Sequence, residues 1–322
     1  MREQLRTDVE NLATPQGRMA GTRGHAEARA YVIERCGAAG LVPVHDGSFE
    51  LPYAAGDIRL TNVIGALPGS RPELDPVLIA AHYDTCGPFP GADDNAAAIA
   101  IALASVEGLR QRALERTVLF AFFDAEEPPH FLTPLMGSTH YYNHQRDRAI
   151  HCAIVLDLVG HAVPIPGRED LLFVMGMESD PALERVVQDC EPESGIRTVA
   201  TLNRYVGDMS DHHVFRVNER PYLFLSCGQW EHYHLPTDTP EKLDYQKMGH
   251  IVNYLCNITA ATAAAGLAGP FEGYDTLGTE LRLLEKHVGD LARQFGISLK
   301  TREELEALVF LMVTRFGLLT DR

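Results

Sequence analysis

Short apolar segments alternate with helical segments along the first part of this chain. Residues 77–81 and 151–156 are largely apolar, as strands buried on both faces of a sheet must be. Between them, residues 95–109 are rich in Ala, Ile and Leu, which predicts a buried helix. Because an alternation of strands and helices is typical of a doubly wound α/β sheet, we predict that architecture.

Other segments extend the pattern on both sides. Further strands are predicted at residues 62–66, 117–123 and 221–226, and further helices at residues 18–40, 181–190 and 245–267. Beyond residue 269 the spacing of Leu predicts two more amphipathic helices, joined near Gly296. We therefore divide the chain into an α/β domain, residues 1–269, and a helical extension, residues 270–322. The extension could be a dimerisation arm, a lid over a cleft or plain packing, and its Leu-rich faces favour a homo-oligomer.

Charge and composition exclude several classes of protein. A net charge of -16 without a basic stripe argues against a surface for nucleic acid or anionic membrane, and favours cations and substrates with a free amine. Residues 1–11 contain no apolar stretch, so we expect neither a signal peptide nor a membrane anchor. Six cysteines without a CxxC pair predict reduced thiols and a cytoplasmic location.

Polar residues stand where the predicted strands end. His82 directly follows residues 77–81, and Asp84 lies on the same face, so that it can accept the second ring N–H of His82. Asp157 directly follows residues 151–156. The carboxyl edge of an open α/β sheet is where ligands bind, which makes these side chains candidates for a functional site.

Paired acids occur at two further positions. Asp93 and Asp94 precede a predicted helix, where an acid can cap the helix or ligate a cation. Glu126 and Glu127 follow a buried strand, and adjacent buried carboxylates repel one another unless a cation or a shared proton intervenes. One of the two glutamates would then ligate a metal while the other handles protons; the alternative is a solvated turn.

Histidines complete the candidate set. His232 and His234 share a polar loop, and their chemistry alone does not separate them. Two imidazoles and three carboxylates, one of them shared, suit two divalent cations, zinc above all. We therefore predict a hydrolase with a paired metal centre, built from His82, Asp94, Glu127, Asp157 and His234.

Several short segments of candidate site residues follow one another along the chain: His82-Tyr83-Asp84, Gly91-Ala92-Asp93-Asp94-Asn95, Glu126-Glu127, Met136-Gly137-Ser138, Leu156-Asp157-Leu158-Val159-Gly160, Ser210-Asp211-His212, Tyr233-His234 and Pro236-Thr237-Asp238-Thr239. In their order and approximate spacing they resemble the two-zinc aminopeptidases of metallopeptidase family twenty-eight, and the resemblance covers about residues 12 to 265. The resemblance implies a three-layer sandwich whose central, mostly parallel mixed β-sheet is flanked by helices, followed here by the C-terminal helical extension.

The resemblance also implies roles for single residues. His82, Asp94 and Asp157 would hold one zinc, and Asp94, Glu127 and His234 would hold the other. Glu126 matches the general base, Asp84 the residue that orients His82, and Tyr233 the hydroxyl that stabilises the oxyanion. The implied activity is removal of N-terminal residues from peptides that carry a free N-terminus, and Co or Mn could replace Zn.

Two alternatives stay open at this point. Glutaminyl cyclases of the same fold use one zinc; they generally carry Ser at the position of Asn95 and Trp at that of Tyr233, and both positions favour the peptidase. Other members have lost their metal ligands and act as non-catalytic binding modules. The complete ligand set favours an enzyme.

Overall fold

One mixed sheet forms the centre of the structure, a computed structural model that describes residues 1–267 and 275–318. Its strands are β1 (Val42–Pro43), β2 (Glu50–Ala55), β3 (Ile58–Leu67), β4 (Val77–His82), β5 (Val118–Phe123), β6 (Cys152–Leu156), β7 (Leu171–Met175), β8 (Arg197–Thr201) and β9 (Tyr222–Ser226). They follow the order β1-β3-β5-β4-β6-β9-β7-β8, and β2 pairs with β3.

The central strands run parallel to one another, and antiparallel pairs join them to the strands on either side. Parallel pairing joins β5, β4, β6 and β9, and also β7 with β8. By contrast, β3 pairs antiparallel with β1, β2 and β5, and β7 with β9. Every residue of β4 and β6 is buried, as the apolar sequences of these strands require. The mixed, mostly parallel sheet is confirmed.

Helices flank the sheet. They are α1 (Arg2–Leu12), α2 (Arg23–Ala38), α3 (Ala97–Arg110), α4 (Gly137–His140), α5 (Pro181–Asp189), α6 (His213–Val217), α7 (Tyr245–Ala264), α8 (Leu277–Gln294) and α9 (Arg302–Arg315). α1, α3 and α7 pack against one another, α2 packs on β3, and α8 packs on β8. Among the described residues, no helix is both long and apolar enough to cross a membrane.

The C-terminal helices are present as predicted. The boundary between residues 269 and 270 lies outside the described residues, so the division into residues 1–269 and 270–322 stays a prediction, as does self-association. Leu283, Leu284 and Val288 of α8, with Leu308 and Met312 of α9, are buried in the same hydrophobic core as the central strands. The extension therefore packs on the body of the protein.

Local structure differs from prediction in two places. The helix predicted from Asn95 begins at Ala97, because Asp94 and Asn95 adopt non-helical backbone angles. No strand was predicted at β7 or β8, yet these segments pair as parallel strands. Each is only five residues long, and the hydrogen bonds that make them strands come from distant parts of the chain.

Candidate metal centre

Side chains from the ends of three adjacent strands meet beside the loop that follows β9. His82 is the last residue of β4, Glu126 and Glu127 follow β5, and Asp157 follows β6. β5 and β6 lie on opposite sides of β4 and run parallel to it, so the winding of the chain reverses between them. Such a reversal opens a crevice at the carboxyl edge of the sheet, where α/β proteins bind ligands.

Asp94 lies between the two histidines. Its Oδ1 is 3.2 Å from Nε2 of His82, and its Oδ2 is 3.0 Å from Nε2 of His234. Asp157 Oδ1 is 3.6 Å from Nε2 of His82, and Glu127 Oε2 is 3.2 Å from Nε2 of His234. The side chains thus form two sets that share Asp94, the grouping expected from the resemblance, while their assignment as ligands stays a prediction.

Several of these atoms are buried without a hydrogen-bond partner among the described residues. They are Nε2 of His82, Nε2 of His234, Oε1 of Glu127 and Oδ1 of Asp157. Buried polar atoms are normally paired, because an unpaired one loses its hydration without compensation. Imidazole nitrogens and carboxylate oxygens are the ligands that zinc binds in proteins. The donor set therefore fits two divalent cations.

Asp84 connects the strand end of β4 to the pair of glutamates. Its carboxylate accepts hydrogen bonds from the backbone N–H groups of Glu126, at 3.0 Å, and Glu127, at 3.1 Å. Oδ1 of Asp84 also lies 3.5 Å from Nδ1 of His82. This distance is longer than that of a typical N–H···O hydrogen bond, which was predicted for this pair. Asp84 therefore positions both glutamates as well as facing His82.

The two glutamates face different parts of the centre, although both are only 4% exposed. Glu127 approaches His234, while Oε2 of Glu126 lies 3.8 Å from Nε2 of His82. Burial raises the pKa of Glu126 well above its usual range; His82 opposes this shift, and Glu127 and Asp157 reinforce it. Glu126 is thus a carboxyl group that holds its proton tightly beside the candidate ligands.

Strained backbone surrounds the centre. Ala125, Leu158 and His234 have φ values of 52°, 53° and 55°, in the left-handed region that non-glycine residues rarely adopt. Each is a candidate ligand or lies directly next to Glu126 or Asp157. Such strain persists where the surrounding structure fixes the backbone, and it concentrates at functional sites.

The histidines of the polar loop are separated by the structure. Nδ1 of His232 lies 3.0 Å from the hydroxyl of Thr237, and its ring packs edge-on against Trp230. His234 instead lies between Asp94 and Glu127. Tertiary structure therefore selects His234 as the candidate ligand.

Supporting residues emerge that sequence reasoning left without a role. Asp238 accepts hydrogen bonds from the backbone N–H groups of Asp93, at 2.9 Å, and Asp94, at 3.1 Å. Arg18, which is 1% exposed, donates to the carbonyl oxygens of Tyr83, at 2.8 Å, and Gly91, at 3.0 Å. Asp238 belongs to a segment that matches the family, whereas no local pattern marks Arg18, because its partners are distant in the sequence.

Asp93, the residue before Asp94, contacts the loop that follows β6. Oδ2 of Asp93 lies 2.6 Å from Nδ1 of His161, and Oδ1 of Asp93 accepts the backbone N–H of Gly160 at 2.6 Å. Neither Asp93 nor Asp94 caps α3, for which no side-chain cap is found. The two acids therefore have separate roles, neither of which is helix capping. Asp93 holds the loop after β6, and Asp94 faces the histidines.

The charged groups of the centre lie close enough together to shift one another's pKa values. Burial lowers the pKa of His234, but the nearby carboxylates of Asp94 and Glu127 outweigh this effect and raise that pKa to about 10. Burial, reinforced by Asp94, raises the pKa of Glu127 to about 8. Burial acts in the same direction on Asp94, yet His234 and His82 hold its pKa below the usual range. The metal-free centre thus carries protons that cations would displace.

A cavity of about 280 Å³ opens beside these residues. Its lining includes Asp94, Glu126, Glu127, Asp157, Tyr233 and His234. The ring of Tyr233 stacks on that of His234, with centroids 3.8 Å apart. Burial raises the pKa of the Tyr233 hydroxyl, so this group stays a hydrogen-bond donor near neutral pH.

Fold and site together define an α/β protein with a candidate metal centre at the carboxyl edge of its sheet. Residues 62–259 match the family model described as Peptidase family M28, so the chain belongs to that family. It is 28% identical over 207 residues to a protein of Escherichia coli K12 described as uncharacterized protein YfbL, a match that covers 55% of this chain and 64% of that protein. The chain spans less than two thirds of the length of the first curated relatives that it matches.

Solved structures share the fold. A glutaminyl cyclase of Fimbriiglobus ruber superposes with a TM-score of 0.63 at 20% identity, over 81% of this chain and 95% of that one. The LapA aminopeptidase of Legionella pneumophila superposes with a TM-score of 0.67 at 14% identity, over 82% of this chain and 72% of that one. These similarities establish the aminopeptidase-like α/β fold.

Proposed function

We propose that this protein is a metal-dependent exopeptidase that hydrolyses the N-terminal peptide bond of peptides, with two zinc ions held in the centre described above. The observation that carries the proposal is the position of Asp94, whose two carboxylate oxygens face His82 and His234. His82 and Asp157 would complete one set of ligands, and Glu127 and His234 the other. Membership of a peptidase family supports peptide substrates.

Zinc, when bound, would acidify a water molecule and polarise the scissile carbonyl. Glu126 lies within the same buried cluster as His82 and Asp157, so it can take a proton from that water. It then returns the proton to the amine nitrogen as the C–N bond breaks. Nearby cations favour the ionised form of a carboxyl group, so bound zinc would lower the raised pKa of Glu126 and leave a carboxylate that can accept this proton.

Tyr233, which lines the same cavity as Glu126, would support the transition state. Its ring is held by stacking on His234, and its hydroxyl remains protonated. An O–H donor that is fixed before the reaction stabilises the oxyanion that forms when water adds to the carbonyl carbon. The surrounding carboxylates would attract the positively charged amine of a free N-terminus.

The test of this proposal is metal analysis of the purified protein, combined with product analysis. About two equivalents of zinc would support the hydrolase, and none would support a binding module. A panel of aminoacyl amides and short peptides, assayed with and without a chelator, should show release of N-terminal residues only in the metal-loaded protein. Zinc-loaded protein that cleaves none of them would refute the proposal.

A glutaminyl-peptide cyclotransferase is the second candidate, because a glutaminyl cyclase shares this fold over most of the chain. That reaction uses one zinc and expels ammonia from an N-terminal glutamine without adding water. Mass spectrometry of a glutaminyl peptide separates the two reactions. Hydrolysis yields free glutamine and a shortened peptide, whereas cyclisation yields a peptide of unchanged length that has lost ammonia.

A further inference from the structure

The C-terminal helices close one side of the cavity that holds the candidate metal centre. Leu284 of α8, Val309, Met312 and Val313 of α9, and Leu318 line it. We call these residues the C-terminal wall. All of them lie outside residues 62–259, the part of the chain that matches the family model. The C-terminal wall therefore lies outside the part of the chain that matches the family, although it lines the same cavity as the candidate ligands.

Apolar residues of the sheet line the cavity as well. They are Phe173 and Met175 of β7, Val199 of β8 and Phe224 of β9. Polar residues in the lining are Asp94, Glu126, Glu127, Asp157, Tyr233 and His234, and also Thr201, Tyr205, Ser226 and Gln229. A substrate whose scissile bond reaches the candidate metal centre would place a neighbouring side chain between the sheet and the C-terminal wall.

Specific contacts hold the C-terminal wall in place. Glu191, beyond the end of α5, bonds Arg282 at 3.1 Å, Lys286 at 2.8 Å and His287 at 2.8 Å. The backbone N–H of Gln229, in the loop after β9, donates to the carbonyl oxygen of Leu318 at 2.8 Å. α8 and α9 are also joined to each other, by Arg302 and Glu280 at 2.7 Å. The wall is thus fixed against the same loop that carries His234.

We propose that the C-terminal wall determines substrate specificity, by selecting N-terminal residues with large apolar side chains such as Leu, Met and Phe. This inference rests on the proposed exopeptidase function. A charged side chain placed between the apolar residues of the sheet and the C-terminal wall would lose its hydration there. A small side chain would leave apolar surface of the pocket uncovered. Each methylene that a substrate lacks lowers its kcat/KM by about 10-fold or more in such a pocket.

Met312 and Val313 provide opposite tests of the wall, since both line the cavity. Met312→Ala should enlarge the cavity and lower the ratio of kcat/KM for leucyl over alanyl substrates by about 10-fold. Val313→Trp should fill the cavity and lower activity on leucyl and phenylalanyl substrates by about 10-fold, with alanyl substrates affected far less. Phe310→Ala is the matched control, because Phe310 belongs to the same helix but is 70% exposed.

Binding must be measured apart from turnover. Affinities of leucinamide and alaninamide for zinc-loaded Glu126→Gln protein, with and without Met312→Ala, should show the same loss of preference by calorimetry. If turnover occurs but neither wall variant changes the leucyl-to-alanyl ratio, the inference is overturned while the proposed function stands. If no substrate is turned over but Met312→Ala still abolishes the binding preference, the wall stands and the proposed reaction fails.

Discussion

The backbone N–H of Asp94 donates a hydrogen bond of 3.1 Å to Oδ2 of Asp238, which joins residues 144 positions apart. Asp238 also accepts the backbone N–H of Asp93 at 2.9 Å. The backbone of Asp94 is not helical. The two hydrogen bonds hold the turn that contains Asp94, and this turn directs its carboxylate towards both histidines. Asp238 therefore supports the shared candidate ligand from behind.

Replacement of Asp238 by alanine tests this support. In Asp238→Ala the two buried N–H groups lose their acceptor, which should lower the free energy of unfolding by about 1–3 kcal/mol. Zinc affinity should fall about 10- to 100-fold, as when other residues that orient metal ligands are lost. Chelator competition and denaturant titration measure the two effects. Glu241→Ala, at an exposed position nearby, is the control; an unchanged zinc affinity in Asp238→Ala would remove Asp238 from the site.

The adjacent glutamates should differ in what their loss affects. Glu126→Gln should bind zinc as the unmodified protein does and lose about 10²- to 10⁴-fold in kcat, because an amide cannot take the proton from water. Glu127→Gln should instead lose zinc, since it faces His234 at 3.2 Å. Metal content and kcat measured on both variants check the assignment. Near-full activity in Glu126→Gln would exclude it from proton transfer.

Zinc binding should release protons near neutral pH. The pKa values of about 8 for Glu127 and about 10 for His234 leave both groups protonated in the metal-free centre. Since raised pKa values mean that protons must leave before these groups bind a cation, the apparent zinc affinity should rise between about pH 6 and about pH 8. Calorimetry in buffers of different ionisation enthalpy counts the released protons. A zinc affinity that is flat across this range would contradict the prediction.

Glu191 should stabilise the protein in a pH-dependent manner. Burial opposes ionisation of Glu191, but hydrogen bonds from Lys286, His287 and Arg282 lower its pKa to about 2. A lowered pKa in the folded state gives stability that is complete above the unfolded value of about 4.3 and is lost as the pH falls towards 2. Glu191→Gln should therefore lower Tm near pH 7, and the difference from the unmodified protein should shrink as the pH is lowered towards about 3.5.

Differential scanning calorimetry at several pH values measures this Tm difference. Glu193→Gln, at an exposed position two residues away, should leave Tm unchanged at every pH. A Glu191→Gln difference that is equally large at all pH values would show that Glu191 acts through packing rather than charge.

Much of the candidate site could be predicted because its residues stand next to strong local signals. His82 is the last residue of one fully buried strand and Asp157 directly follows another, so their place at the carboxyl edge of the sheet follows from the strands themselves. Glu126 and Glu127 attract notice because two adjacent buried acids are costly without a partner. The central strands were predictable for the same reason, since burial on both faces demands a continuous apolar sequence.

Residues whose partners are distant left no local signal. Arg18 bonds carbonyl groups that lie 65 to 76 positions away, and only the folded chain brings them together. The choice between His232 and His234 depends on a loop conformation with a strained φ of 55° at His234. The predicted start of the helix at Asn95 was wrong because Asp238 holds the preceding turn out of helical geometry.

The amino-acid sequence alone determined the class of fold and the chemistry available at the sheet edge, since both depend on patterns within a few residues. Tertiary structure decided which of these groups face one another, that Asp94 stands between two histidines, and that Met312 of a helical extension lines the same cavity as Glu126. The physical reason is that short apolar and polar patterns select strands and helices locally, whereas a site depends on packing between segments far apart in the chain.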